Sequence, residues 1–331
     1  MFKTTIISAA LGVVFLSVNA QAAEPIIIKF SHVVTSNTPK GQAAERFKQL
    51  AEKYTGNRVK VELYPNSQLY KDKEELEALQ LGAVQMLAPT VSKFGPVGVK
   101  EFEVFDVPYL FPDKVALRKV TDGPVGKKLL AKLEPKGIKG LAYWDNGFKI
   151  MTANKPIVKP DDMKGLKMRI QSSKVLEAQM RALGTIPQVM AFSEVYQALQ
   201  TGVVDGTENT PSNVYTQKTH EVQRDMTLTN HGYIGYVVIA NKKFWDGLPP
   251  DIRTKLDQAL KEATVLNNDV AQKDNDNAIA AMKASGKVTF HTPTPQERQL
   301  WMAKLKPVEK EVAPRVGAGL IQEIHQAIGQ K

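Results

Sequence analysis

The chain has 331 residues, a formal net charge of +10, 43% hydrophobic residues and no cysteine. The missing cysteines exclude disulfides and thiolate chemistry. A basic balance suits nucleic acid, an anionic membrane surface or small anions, but the lysines are scattered rather than gathered into runs.

Residues 1–23 read as a secretory leader. Lys3 supplies the positive start, Ile6 to Val18 a short apolar run, and Ala20-Gln21-Ala22 a small-x-small cleavage site. That run is shorter than the roughly twenty apolar residues of a membrane span. The reading predicts a soluble, periplasmic chain and sets nucleic acid aside as a partner. The remaining positive surplus then points to a small anionic ligand. The remaining length, about 300 residues, exceeds what one hydrophobic core usually serves, so two lobes are expected.

Ile26 to Ser31 reads as a first strand. A helix from Gly41 to Tyr54 follows, with Ala43, Ala44, Phe47, Leu50 and Ala51 on one face and Gly56 beyond its end. Lys40 stands just before that helix, where a lysine is either solvated or turned toward a cleft anion. Val59 to Tyr64 alternates as a strand. Residues 102–113, FEVFDVPYLFPD, form a proline-interrupted apolar loop, packed rather than chemical. A helix is expected over Val115 to Leu133, a strand over Gly140 to Trp144, a turn at Asp145-Asn146-Gly147, and a strand over Phe148 to Thr152 that carries Lys149.

The densest pattern runs from Gly165 to Asn213. A strand at Leu166 to Ile170 carries Arg169, and a helix from Ser173 to Leu183 stops at Gly184. A strand at Pro187 to Met190 leads to a helix from Ser193 to Thr201, closed by Gly202 in the place of a left-handed cap. Val203 to Asp205 then begins a third strand that ends at Thr207-Glu208-Asn209. Such a βαβαβ unit forms a parallel sheet, and ligands sit at the carboxyl ends of its strands. Arg169 and Asn209 both fall there. An arginine on a strand is often half-exposed, but a parallel sheet covered on both faces would bury it. It would then need a carboxylate or phosphate partner for its fork of donors.

One internal echo stands out. Ala78-Leu79-Gln80-Leu81-Gly82-Ala83-Val84 matches Ala198-Leu199-Gln200-Thr201-Gly202-Val203-Val204, offset by 120 residues. Both read as a helix end, a glycine cap and the entry to a strand. The correspondence puts Pro89 and Thr90 in the first lobe where Asn209 and Thr210 stand in the second, and it suggests two similar lobes facing a cleft. After Asn209, a helix is expected over Tyr215 to Gln223 and a returning strand over Tyr233 to Asn241. A long helix should run from Pro249 to Ser285 for about 50 Å, followed by a strand at Val288 to His291 and terminal helices from Glu297 to Ile328.

The segments DMKGLKMRI, PQVMAFSEVYQALQTGVVDGTENTPSN and EVQRDMTLTNH resemble the substrate-binding proteins of TRAP transporters, in particular the C4-dicarboxylate-binding DctP group. YPNSQLYKDKEELEALQLGAVQML and FDVPYLF extend the resemblance across nearly the whole mature chain. It implies a two-lobed α/β periplasmic binding protein with a helix spanning both lobes, a small organic acid as ligand and membrane permease subunits as partners. It further implies that Arg169 anchors a ligand carboxylate, that Asn209 and Lys149 support it, and that Phe192 lines the pocket. An arginine commonly stands in the family where this chain has Lys149, which keeps the charge and loses the bidentate fork. A second carboxylate would take a cation from the opposite lobe, for which Lys40 is the candidate, with Thr90 beside it. The lobes are expected at 24–146 plus 235–275 and at 147–234 plus 276–331, closing on ligand as a monomer.

Other chemistry has weak signals. His32, His220, His231, His291 and His325 lack metal-binding spacing on one helix face, and Asp274-Asn275-Asp276-Asn277 resembles a calcium loop without its glycine and terminal glutamate; it reads as a solvated helix surface. Residues 123–128 are not a P-loop, and no nucleophile elbow or dinucleotide fingerprint is present. No cofactor is expected. The reading is therefore a binder of succinate, malate or fumarate, with a monocarboxylate or sugar acid as the alternative ligand and an exported hydrolase as the alternative class. N-terminal sequencing of the exported protein should find Ala23 or Glu24 as the first residue; a chain beginning at Met1 would contradict the leader.

Overall fold

The computed structural model describes residues 24–72 and 74–330, so the expected leader lies outside the described residues. The chain opens with β1 (Ile26–Ser31), α1 (Pro39–Tyr54) and β2 (Val59–Tyr64), then α2 (Glu75–Gln80) and β3 (Met86–Leu87). Next come α3 (Lys114–Thr121), α4 (Pro124–Ala131), β4 (Ile138–Phe148) and β5 (Ile150–Ala153). The central unit is β6 (Lys167–Ile170), α5 (Lys174–Ala182), β7 (Ile186–Val189), α6 (Val195–Gln200), β8 (Gly206–Asn209) and α7 (Pro211–Thr216). The chain finishes with β9 (Asp225–Thr227), β10 (Tyr233–Asn241), α8 (Lys242–Asp246), α9 (Pro250–Ala284), β11 (Thr289–His291), α10 (Pro295–Val316) and α11 (Ala318–Ile328).

Two mixed sheets result, ordered β2-β1-β3-β10-β4 and β11-β9-β5-β8-β6-β7. In the second, β6 runs parallel to both β7 and β8, as the βαβαβ pattern requires. The duplicated unit is real at the level of hydrogen bonds. Gly82 and Gly202 both take left-handed φ, +80° and +72°, where a Cβ would be strained. Gln85 N–H donates to Lys29 O at 3.1 Å, and its counterpart Asp205 N–H donates to Lys167 O at 2.8 Å. Each of those side chains also accepts the strand amide in return, Gln85 from Lys29 at 3.0 Å and Asp205 from Lys167 at 2.7 Å.

The chain changes sheets three times, the last time through α8 and α9, which link β10 to β11. β4 ends at Phe148 in the first sheet and β5 begins at Ile150 in the second, leaving Lys149 at the crossing. Residues 228–232 carry the return from β9 to β10. The expected turn at Asp145-Asn146-Gly147 is instead the end of an eleven-residue strand. Its polar side chains have partners there: Asp145 accepts from Tyr233 Oη at 2.7 Å and Asn146 donates to Tyr236 Oη at 2.7 Å. The single helix expected over residues 115–133 is two, because Pro124 must begin a helix and not continue one. The helix expected over Tyr215 to Gln223 is only α7 and a short 3-10 turn, separated by Lys218 in left-handed conformation at φ 58°.

The long helix α9 packs on α1 and β4 of the first lobe and on α7 of the second. The C-terminal helices divide between the lobes and do not both stay with the second. α10 lies against α5, whereas α11 packs on α3 and α4, because its apolar face of Leu320, Ile321 and Ile324 finds its core there. Asn275, read from sequence as solvated, is 4% exposed. Its amide nitrogen donates to Asn146 O at 2.7 Å and its oxygen accepts from Ser212 N–H at 2.9 Å, tying the helix to both lobes. Asn275→Ala strands two backbone groups and should cost about 1–3 kcal/mol in urea unfolding, whereas Asn277→Ala should be nearly neutral.

Candidate functional site: a closed cleft between the sheets

The carboxyl ends of β3, β6 and β8 converge on one cavity between the lobes. From the second lobe it is lined by Arg169, Gln171, Phe192, Asn209 and Asn213; from the first by Val33, Val34, Asp72, Thr90 and Lys93. Tyr236 and Ile234 of the returning strand complete it.

Arg169 is 1% exposed. Its Nε and Nη2 both donate to Met190 O, at 3.1 and 2.9 Å, which aims the guanidinium along the cavity wall. The Phe192 ring lies 5.7 Å from its central carbon. Burial lowers the Arg169 pKa, while Asp72, Glu208 and Glu194 raise it; a guanidinium stays protonated regardless. Asn209 commits its side-chain oxygen to Thr210 N–H at 2.9 Å and Asn213 Nδ2 at 3.0 Å. Its amide nitrogen is the end left to donate to a ligand. Thr90 bridges the lobes, its hydroxyl donating to Gln171 Oε1 at 2.6 Å.

Residues 30–315 match bacterial extracellular solute-binding protein family 7, DctP. The chain belongs to that family. It is 61% identical to the C4-dicarboxylate-binding periplasmic protein DctP of Rhodobacter capsulatus, over the full length of both chains. A TRAP periplasmic solute-binding protein of Sulfurospirillum deleyianum, solved with bound succinate, superposes with a TM-score of 0.89 at 45% identity, covering 92% of this chain and 99% of that one. One from Pseudomonas aeruginosa, solved with L-malate, gives 0.84 at 43% identity and covers 87% and 100%.

Of the six site residues expected in this DctP-family chain, Arg169, Asn209, Phe192 and Thr90 meet on the cavity wall. Lys40 and Lys149 do not line it. Lys40 lies behind the wall, where its Nζ donates to Ala88 O at 2.9 Å and sits 3.8 Å from the Tyr236 ring centre. Burial pulls it down to about 7, with Glu75 opposing and Lys93 reinforcing the shift. Lys149 turns into the polar core at the sheet crossing, 2.7 Å from Glu208 Oε1 and 3.9 Å from Asp106. The strand reverses its company there because β5 pairs antiparallel with β8, which sets Lys149 beside Glu208 and not beside the cavity. Glu208 Oε2 is also 2.8 Å from His231 Nε2 and accepts from Gln179 at 3.1 Å. Among the described residues no group of His, Cys, Asp or Glu is placed to hold a metal.

Asp72, Lys93, Gln171 and Asn213 were missed. The echo held a signal for one of them, since position 72 is the counterpart of the expected Phe192, whereas positions 93 and 213 are counterparts only of each other. Lys93 is buried between Asp72 at 3.3 Å and Glu75 at 3.0 Å.

The Lys149 network carries a stability prediction. Burial would raise Glu208, but Lys149 first and then His231 hold it down to about 2. Its folded pKa is below its ordinary value, so its contribution is complete above pH 4.5 and lost as the pH falls toward 2. Lys149→Ala leaves a buried carboxylate uncompensated and should cost about 3–5 kcal/mol in ligand-free urea unfolding. The deficit should narrow as the pH is lowered toward the Glu208 value. A folded variant of parental stability at neutral pH would contradict this role.

Proposed function

We propose that this chain is a periplasmic, non-catalytic receptor that closes on a C4-dicarboxylate and delivers it to the membrane subunits of a TRAP transporter. The observation that carries the reading is Arg169, a buried guanidinium that donates to the neutral carbonyl of Met190 and lines the cavity between the lobes. A buried cation so placed has charge to offer, and a carboxylate can leave water only if it is paired and hydrogen-bonded.

In this reading one carboxylate of the ligand lies on Arg169, with the Asn209 amide donating alongside and the Phe192 ring against the carbon chain. The other end faces the first lobe at Thr90, whose hydroxyl proton is held by Gln171 Oε1. Lys40 adds positive potential from behind Tyr236, while Lys93 is paired with Asp72 and Glu75. The relatives support the ligand class: the Rhodobacter protein is named for C4-dicarboxylates, and the two solved structures carry succinate and L-malate. The permease partner and the periplasm follow from the same kinship.

Calorimetric titration should give tight, one-to-one binding of succinate or malate and much weaker binding of butyrate. Arg169→Lys keeps the charge and loses the fork. It should weaken succinate by about ten- to a hundredfold, and Arg169→Ala by more. No heat with any C4-dicarboxylate, or near-parental affinity in folded Arg169→Ala, would overturn the reading.

A further inference from the structure

A cleft built for an anion also contains a carboxylate. Asp72 lines the cavity with Arg169 and Lys93, and its side chain is 7% exposed. Oδ2 lies 3.3 Å from Lys93 Nζ, while Oδ1 accepts the backbone N–H of Phe192 at 3.0 Å. Asp72 sits between β2 and α2 in the first lobe, and Phe192 follows β7 in the second, so this bond crosses the cleft. Phe192 opens the 3-10 turn Phe192–Glu194, where an amide finds no acceptor within its own turn. A carboxylate from the opposite lobe supplies one.

The surroundings keep Asp72 ionised for that task. Burial would raise its pKa, yet Lys93, Arg169 and the Phe192 amide together hold it below the usual carboxylate range. The bond is therefore charge-assisted. Lys93 is itself steadied by Glu75 on its far side. Asp72 and Lys93 also border an open groove with Glu77, Gln80 and Ser172, which puts the pair at the rim of the cavity. Lys71 and Glu194 pair across the same rim at 2.8 Å, but both are about half exposed, and such pairs contribute little.

We propose that Asp72 is the latch of the cleft: it holds the second lobe shut by accepting the Phe192 amide, and so sets how long a bound acid is retained. The proposal rests on the reading of the cleft as a C4-dicarboxylate site. Asp72 acts as a positioning residue and does not bind the ligand. When the lobes part, the amide and the carboxylate both return to water. When they close, each loses water and needs the other, because a buried group left unpaired bears its full desolvation cost. Closure is thereby registered to one geometry, with Arg169 and Lys93 at fixed spacing around the ligand.

Stopped-flow kinetics with succinate on the full chain, Asp72→Ala and Asp72→Asn test this. Asp72→Ala should raise the dissociation rate about ten- to a hundredfold and leave the association rate within about threefold. Its ligand-free melting temperature should fall by too little to account for that change. Asp72→Asn keeps a neutral acceptor and should fall between parent and Asp72→Ala. Parental dissociation in Asp72→Ala overturns the latch. So does tighter binding, which would mean that Asp72 only repels anions, or a loss that tracks ligand-free stability. If the parent takes up no succinate, the ligand reading falls instead. Small-angle scattering of the ligand-free chains then decides the latch: a larger radius of gyration in Asp72→Ala sustains it, and an unchanged one overturns it.

Discussion

The ion pair between Lys149 and Glu208 is the constraint on which the cleft depends. Both groups are almost completely removed from water where the chain passes from one sheet to the other, 2.7 Å apart. Such burial costs several kcal/mol per ion and is returned only if every remaining polar site is used. Glu208 meets that condition, with Lys149 on one oxygen and His231 and Gln179 on the other. An apolar pair could fill the same space at no loss of stability. What it could not do is fix register. β5 pairs with β8 so that Ile150 faces Asn209, and β8 pairs with β6 so that Thr207 faces Arg169. The buried pair thus lies beside the strands that carry Arg169 and Asn209.

The first lobe reaches the same cavity with the same building unit. In each lobe a six-residue helix ends in a left-handed glycine, turns into a short strand through matched backbone and side-chain bonds, and leaves a threonine to begin the next turn. Thr90 and Thr210 adopt nearly the same conformation, with ψ 152° and 151°. Their neighbours then diverge: three residues on, the first lobe has Lys93 and the second has Asn213, and both reach the cavity. One unit used twice gives two surfaces facing each other at their strand ends, which is where open sheets bind ligands.

This explains what was legible in the sequence. Strands with strong periodicity stand as written, β1 and β2 to the residue, and α9 to within one at each end. Local polarity misled where the protein buries it. Asp145-Asn146-Gly147 has the composition of a turn but fills a strand because Tyr233 and Tyr236 complete its hydrogen bonds. Asn275 reads as surface for the same reason and is an interlobe tie. The place of Arg169 on the cavity wall was legible because strand ends in a parallel unit face the ligand crevice by topology. That of Asp72 was not, since its contact with Phe192 joins residues 120 apart and no local pattern announces it.

The four basic groups around the cleft sort by what they rest on. Lys149 and Lys93 lie against carboxylates, so their charge is largely spent within the protein. Arg169 and Lys40 rest on the neutral carbonyls of Met190 and Ala88. Their fields are compensated only at a distance, one in each lobe and on either side of the cavity wall. Desolvation works against the charged form of both, and a carboxylate brought between them works the other way. An anion in the cavity therefore relieves a cost that the fold carries at two points in opposite lobes.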